Sequence, residues 1–351
     1  MIATLATTRS ASPLSNMNKT VNSHLYELEV VKNSKPRLAF DEKADFNTWR
    51  KMAYDKLSEL LGLPLEPGSA FEIEYTDVKD GYTEYRFTVE TEPGYHVPCH
   101  LLVPLDKEGK IPLTICLSGH GSGMHIALGV SKCEKDVKSL LEWQHRAMAP
   151  RSLREGRAAL VIEARNFGEA SLTGIGTSCT EAAKIALLMG RTTIGERVWD
   201  AMRVLDAVAE NFDMIDMANI VCTGNSGGGT AAYYFSAIDE RITVCAPSCS
   251  ICTYEGSIIA MEHCMCNHIP SIRKYFEMGD LAGLIAPRRL VVAAGELDDI
   301  FPIDETKKNF ETIKRIYASL GVSDNTALVI GDKGHLNYAD LLWDKIHEMG
   351  I

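Results

Sequence analysis

The sequence predicts a doubly wound α/β fold: a mainly parallel sheet, preceded by an N-terminal helix and an antiparallel hairpin. Three patterns carry this. Phe71, Ile73 and Tyr75 alternate with Glu72, Glu74 and Thr76, and after Lys79-Asp80-Gly81 the residues Tyr85, Phe87 and Val89 alternate with Glu84, Arg86 and Thr88. Period two around an Asp-Gly turn predicts an antiparallel hairpin. Short unbroken apolar runs follow at 113–117, 158–162, 220–223, 242–246, 290–294 and 327–330. Such runs suit strands covered on both faces. Helical segments separate them, the clearest placing Val198, Ala201, Met202, Leu205, Val208 and Ala209 on one stripe.

Taken in order, residues 1–40 show no strong period and are expected to form an arm, leaving 41–351 as a single domain. Trp49, Met52, Ala53, Leu57, Leu60 and Leu61 predict a helix that Gly62 and Pro64 stop. Val97–Val103 reads as a third strand after the hairpin. The longest excursion between a strand and its following helix runs over 166–195. It reads equally as a cap over the site or as an ordinary extra helix near Thr180–Met189.

Composition removes several function classes. The chain has 351 residues, a net charge of −11, and no Lys/Arg-rich run, so it lacks a nucleic-acid footprint. No apolar stretch is long enough to span a membrane. The N-terminus lacks a basic start followed by an apolar core, which predicts a cytoplasmic protein. The ten cysteines are scattered, and Cys116, Cys222 and Cys245 fall inside predicted core strands, which suits a reducing compartment. Cys249-Ser250-Ile251-Cys252 and the His263-Cys264-Met265-Cys266 stretch with His268 lack a second pair at zinc spacing. No metal and no cofactor is therefore expected. His96 and His100 around Cys99 read as edge-strand residues. Oligomeric state is left open.

The chemistry concentrates at predicted strand ends, where sites of this sheet type gather. Gly224-Asn225-Ser226-Gly227-Gly228 lies between an apolar β-branched run and a helical one. Strand, tight turn, helix is the setting of a nucleophile elbow, which projects the serine hydroxyl from the sheet. The Gly227 amide then becomes one oxyanion donor. Ser118-Gly119-His120-Gly121-Ser122-Gly123 follows the first buried run and offers inward-turning amides. Gly295-Glu296-Leu297-Asp298-Asp299 and Gly331-Asp332-Lys333-Gly334-His335 follow the last two runs. Serine needs an adjacent base, and histidine needs a carboxylate to fix its tautomer. The order Ser226, Asp298, His335 meets both needs. Glu296 and Asp299 compete for the acid, with Asp298 preferred and Asp299 next.

With these motifs in place the chain resembles the α/β-hydrolases of the acetyl xylan esterase and cephalosporin-C deacetylase type, in their bacterial branch. The matching pieces include 119–123, Gly190-Arg191-Thr192, Val198-Trp199-Asp200, 224–229, 263–270, Leu284-Ile285-Ala286-Pro287-Arg288 and 295–302, within about residues 70–345. The resemblance implies a triad of Ser226, Asp298 and His335. It implies oxyanion donors at Gly227 and at the amides near Gly121 and Ser122. The function it implies is removal of short acyl groups from a small-molecule ester, acylated saccharides among them, through an acyl-enzyme. A peptidase or amidase on the same fold is the alternative, and a non-catalytic member of the fold the third reading. Neither nucleic acid nor membrane is an expected partner.

Overall fold

The protein is described here by a computed structural model covering residues 20–142 and 146–351. Its sheet is built from β1 (Phe71–Lys79), β2 (Tyr82–Glu92), β3 (Tyr95–Pro104), β4 (Ile111–Leu117), β5 (Ala158–Ile162), β6 (Ile215–Asn225), β7 (Val244–Ser248), β8 (Arg289–Gly295) and β9 (Thr326–Gly331). The spatial order is β1-β2-β3-β5-β4-β6-β7-β8-β9. The first three strands and β5 pair antiparallel, and every pairing from β5 through β4 to β9 is parallel. Each of the nine predicted strands is present. β7 is displaced two residues toward the C-terminus of its predicted span, and β6 starts five residues early.

The helices are α1 (Ser23–Asn33), α2 (Phe46–Leu61), α3 (Glu134–Glu142), α4 (Met148–Arg154), α5 (Cys179–Leu188), α6 (Thr193–Asn211), α7 (Gly227–Ile238), α8 (Ile272–Tyr275), α9 (Ala282–Ile285), α10 (Ile303–Ser319) and α11 (Ala339–Glu348). The unbroken apolar runs are explained by cover on both faces. In β8, Leu290 and Val292 join the cluster formed with α2, α6, α7 and α10, whereas Val291 and Ala293 pack with Leu342, Trp343 and Ile346 of α11. Cys116, Ala159 and Val161 likewise meet Met148 and Ala149 of α4. Burying each such aliphatic side chain is worth about 1.5–3 kcal/mol. Polar substitution on either face of β8 is therefore costly.

The edges of the fold are less covered than its centre. β1 is the edge strand: Phe71 at its start packs on Phe87 and Phe212, and that cover does not extend to Ile73 and Tyr75, which are 45% and 46% exposed. The segment expected to be an arm also contributes structure. Helix α1 forms with Asn22 as its N-cap, its side chain accepting from Leu25 N at 3.1 Å, and buries none of its residues. Residues 37–40 then join the body. The Arg37 and Leu38 amides donate to the Lys274 and Tyr275 carbonyls, and the Phe40 amide donates to Asp280. Phe40 is buried against Trp49. The first 19 residues lie outside the described ones.

The topology positions the site. β4 lies between β5 and β6, so the chain leaves β4 in one direction across the sheet and later returns to its other side. Loops at the carboxyl ends of the strands flanking such a point splay apart and leave a crevice. The loop after β4 and the turn after β6 border that crevice.

Candidate active site

Ser226 occupies the one-residue turn between β6 and α7, with φ 54° and ψ −124°. A non-glycine residue in that region is strained by roughly 1–3 kcal/mol, and the surroundings enforce it. The Ser226 amide donates to the Ser248 carbonyl at 2.9 Å. A Cβ on Gly224 would collide with the Gly228 carbonyl group and the Leu117 oxygen, and one on Gly228 would overlap the Leu117 backbone. Those two positions thus require glycine, and α7 starts directly behind the serine with its free amides and positive dipole end. The side chain of Ser226 is half-buried.

Asp298 follows β8 and is fully enclosed, its side chain 0% exposed. Its Oδ1 accepts from the Ile300 and Phe301 amides at 2.9 and 3.0 Å. Its Oδ2 accepts from His335 Nδ1 at 2.9 Å. Burial pushes this carboxyl up, but the His335 hydrogen bond and charge and the two amides outweigh burial and hold it below the usual carboxylate range. The competitors Glu296 and Asp299 are exposed. The carboxylate can only accept, so Nδ1 carries the proton and the Nε2 lone pair is left available. Phe301 stacks on the imidazole at 5.8 Å and 14°, fixing the ring plane.

Ser226 and His335 are coupled through a residue that sequence reading missed. Ser248 ends β7; its carbonyl accepts the Ser226 amide, while its hydroxyl donates to the Leu336 carbonyl at 3.0 Å and accepts from the Tyr338 amide at 3.1 Å. One fully buried residue thereby fixes both the elbow and the loop that carries His335. Its place at a strand's carboxyl end was the available signal. Among the described residues, no hydrogen bond joins the Ser226 hydroxyl to His335. Such contacts often close only when substrate binds.

The loop after β4 meets the elbow through Gly119 and His120. A Cβ on Gly119 would lie 3.3 Å from Ser226 Cβ, and one on Gly227 would lie 2.8 Å from the His120 ring. Gly121 faces Arg146 and Ile126, and Ser122 is turned to Asp136, which its hydroxyl contacts, and to Gly176, whose amide its carbonyl accepts at 2.9 Å. Gly119 and Gly227 thus border Ser226 and the His120 ring, and Gly121 and Ser122 follow along the same loop. Glu163, one residue beyond β5, props this loop. Its two oxygens accept the Met124 and Glu169 amides at 3.0 and 3.1 Å. Burial pushes its carboxyl up to about 7 despite those amides.

A pocket of about 480 Å³ opens beside His120, bordered by Lys135, Asp136, Lys138, Arg146, Gly176 and Thr177. The 166–195 excursion supplies Gly176 and Thr177 to this wall and then α5, one residue from where a helix was expected. Of the Cys/His stretch, His263 Nδ1 pairs with the Asn267 amide at 2.9 Å and His268 Nδ1 approaches the Cys264 carbonyl at 3.3 Å. His96 is exposed at the β2–β3 turn, and His100 Nδ1 pairs with Glu84 at 2.7 Å. No helix among the described residues is long and apolar enough to cross a membrane.

The chain is 26% identical over 249 residues to the Bacillus subtilis protein named "Putative hydrolase YtaP", covering 69% of this chain and 79% of that protein. Its structure is similar to that of a "putative acetyl xylan esterase" from Bacteroides fragilis, with a TM-score of 0.78 at 18% identity over 89% of this chain and 82% of the other. Methylesterase BT1017 superposes with a TM-score of 0.68 at 22% identity, over 93% of this chain and 68% of that one. A glucuronoyl esterase from Solibacter usitatus gives 0.65 at 16% identity, over 90% and 96%. Likeness at these identities is one of fold. The family assignment rests on the sequence: with residues 4–327 matching its model, the chain belongs to the Abhydrolase family of α/β-hydrolases.

Proposed function

We propose that the protein is a serine hydrolase of short-chain carboxylic esters, acting through Ser226, His335 and Asp298. One observation carries this reading: a buried Asp298 locks the His335 tautomer at the same sheet end where Ser226 sits on a strained elbow. As Ser226 Oγ attacks the ester carbonyl, His335 Nε2 takes its proton. Asp298 stabilises the imidazolium so formed. The Gly227 amide at the start of α7 and an amide of the 119–122 loop meet the developing oxyanion. The imidazolium then protonates the leaving alkoxide, and the alcohol departs. Water, deprotonated by the same nitrogen, releases the acid and restores the serine.

The names of two structural neighbours, an acetyl xylan esterase and a glucuronoyl esterase, support an ester linked to a carbohydrate, and the methylesterase supports a small ester. The pocket beside His120, lined by lysines, Arg146, Asp136 and Thr177, suits a hydroxylated alcohol rather than an acyl tail. Chromogenic esters of rising acyl length, with peptide anilides beside them, test the proposal. Acetyl and propionyl esters should be cleaved best, with a steep fall by octanoyl, each misfitting methylene shifting discrimination by about 1–3 kcal/mol. Equal kcat/KM on octanoyl esters removes the short-acyl claim, and faster release from an anilide than from any ester replaces the esterase with a peptidase.

A further inference from the structure

Beside the elbow, four side chains from three separate segments converge. They are His120 of the loop after β4, Cys179 at the first turn of α5, and Cys264 and Cys266 at the N-cap and in the middle of a short 3-10 turn, Met265–Asn267. His120 Nε2 lies 3.3 Å from Cys266 Sγ and 3.7 Å from Cys179 Sγ. All four ligand atoms fall within 4.8 Å of one another. Every one of these cysteines is a free thiol. A tetrahedral zinc ion, with bonds of about 2.3 Å to sulfur and 2.0–2.1 Å to nitrogen, needs edges of roughly 3.8 Å between sulfurs and roughly 3.5 Å from nitrogen to sulfur. The four atoms are already close to that shape. His263 and His268, adjacent in sequence, are turned to Asn267 and the Cys264 carbonyl instead.

A second observation concerns charge. Arg197 of α6 is buried, and among the described residues no carboxylate pairs with it. Its Nε and Nη2 donate to the Arg165 carbonyl at 3.2 and 2.9 Å, Nη2 also reaches Cys179 Sγ at 3.5 Å, and Nη1 has no partner. The guanidinium also lies over the Phe167 ring at 4.3 Å, but a buried cation that no carboxylate faces among the described residues still calls for a counter-charge. Three thiolates, one neutral imidazole and one divalent cation sum to a single negative charge beside that guanidinium.

We propose that His120, Cys179, Cys264 and Cys266 form a closed four-ligand site for a thiophilic divalent ion of the zinc class. Binding releases the three thiol protons to solvent, while His120 binds through Nε2 and keeps its proton on Nδ1. With four protein ligands no position remains for water, so the ion is structural. It joins the loop after β4 to the 166–195 excursion and the 264–268 turn, and the opposite side of the His120 ring packs on Gly227. The ion thereby fixes one wall of the crevice. This proposal departs from the sequence expectation of no metal, because its ligands are neighbours in space rather than along the chain.

The test reads metal, not turnover, so it stands apart from the esterase reading. Full-length protein purified under reducing conditions should retain about one zinc per chain by elemental analysis. After removal by chelator, Co²⁺ should restore a tetrahedral spectrum with thiolate-to-cobalt charge-transfer absorption. Cys264→Ser/Cys266→Ser should lower zinc affinity at least about tenfold, as even loss of an outer partner does, whereas His263→Ala/His268→Ala should leave it unchanged. A Co²⁺ spectrum without thiolate bands overturns the proposal, and it needs only the wild-type chain. A disulfide among the three cysteines in the reduced preparation, or equal zinc affinity in the Cys264→Ser/Cys266→Ser variant, overturns it as well.

Discussion

The two sides of the crevice are each held by one buried polar residue at a strand's carboxyl end, and the two ties differ in kind. On the side of Ser226 and His335 the tie is Ser248, whose carbonyl and hydroxyl reach the elbow, Leu336 and Tyr338. It carries no charge, so its hold does not vary with pH. On the side of His120 the tie is Glu163, whose carboxylate collects the Met124 and Glu169 amides in a site burial makes unfavourable for charge. One side is built for constancy. The other is held by an ionisable group and, on our proposal, by a metal ion. Ser226 and His335 are thus tied by a neutral residue, whereas the wall beside His120 is tied by an ionisable one.

The largest effects belong to the constant side. Ser226→Ala should lower kcat by roughly 10⁴-fold or more, because members of a triad act as a unit. A fluorophosphonate probe should label the native chain at Ser226 and leave the variant unlabelled. Persistent labelling would move the nucleophile elsewhere. Asp298→Asn should cost up to about 10⁴-fold in kcat by presenting the wrong group to His335 Nδ1. Asp299→Asn, at an exposed carboxylate, should leave kcat within about twofold, in keeping with the small effects of surface substitutions. A reversed pair of results would give the acid to Asp299.

How much of this was legible in the sequence follows the same division. Gly224 and Gly228 are local requirements of a turn, so the pattern announced Ser226 directly. Asp298 and His335 were readable because the fold places loops after successive strands at one end. The sequence preferred Asp298 over Asp299, and the structure supplies a physical reason for that preference: Asp298 is turned inward against His335, whereas Asp299 is exposed. The wall around His120 was not readable. Cys179, Cys264 and His120 are separated by 59 and 144 positions (179 − 120 and 264 − 120), and no local period records that they meet. Their cysteines read as scattered core residues for that reason. The alternation in β1 and β2 was read as an antiparallel hairpin, which is present, but alternation does not tell whether a helix covers either side, and Ile73 and Tyr75 stay exposed.

A smaller effect probes the Ser248 tie itself. Ser248→Ala leaves the Tyr338 amide without its buried acceptor, which should cost about 1–3 kcal/mol in urea unfolding. Releasing the 335–338 loop should also lower kcat by roughly 10- to 100-fold with little change in KM, since misplacement of about 1 Å suffices for that loss. An unchanged kcat would mean that Phe301 stacking and the Asp298 hydrogen bond place His335 unaided.

The smallest effect separates the two ties. A glutamate unfolds to a pKa of about 4.3, whereas burial holds Glu163 at about 7 in the folded chain. Between those values the folded state keeps a proton that the unfolded state has released. The contribution of Glu163 to stability is therefore complete below about pH 4.3 and is lost as pH rises through about 7. Midway between those two values the slope comes nearest to its limit of about 1.4 kcal/mol per pH unit for one proton. Urea unfolding of the wild type and Glu163→Gln, compared between about pH 5 and about pH 8, isolates this slope because other titrating groups cancel in the difference. Glutamine keeps an acceptor for the Met124 amide but turns a donor toward Glu169, so the variant shifts in level; only its slope is read. The wild type should lose stability relative to Glu163→Gln as pH rises. The same comparison for Ser248→Ala should be flat. Parallel wild-type and Glu163→Gln curves would show that Glu163 is ionised throughout the range, and the contrast between the two sides of the crevice would then reduce to the metal site alone.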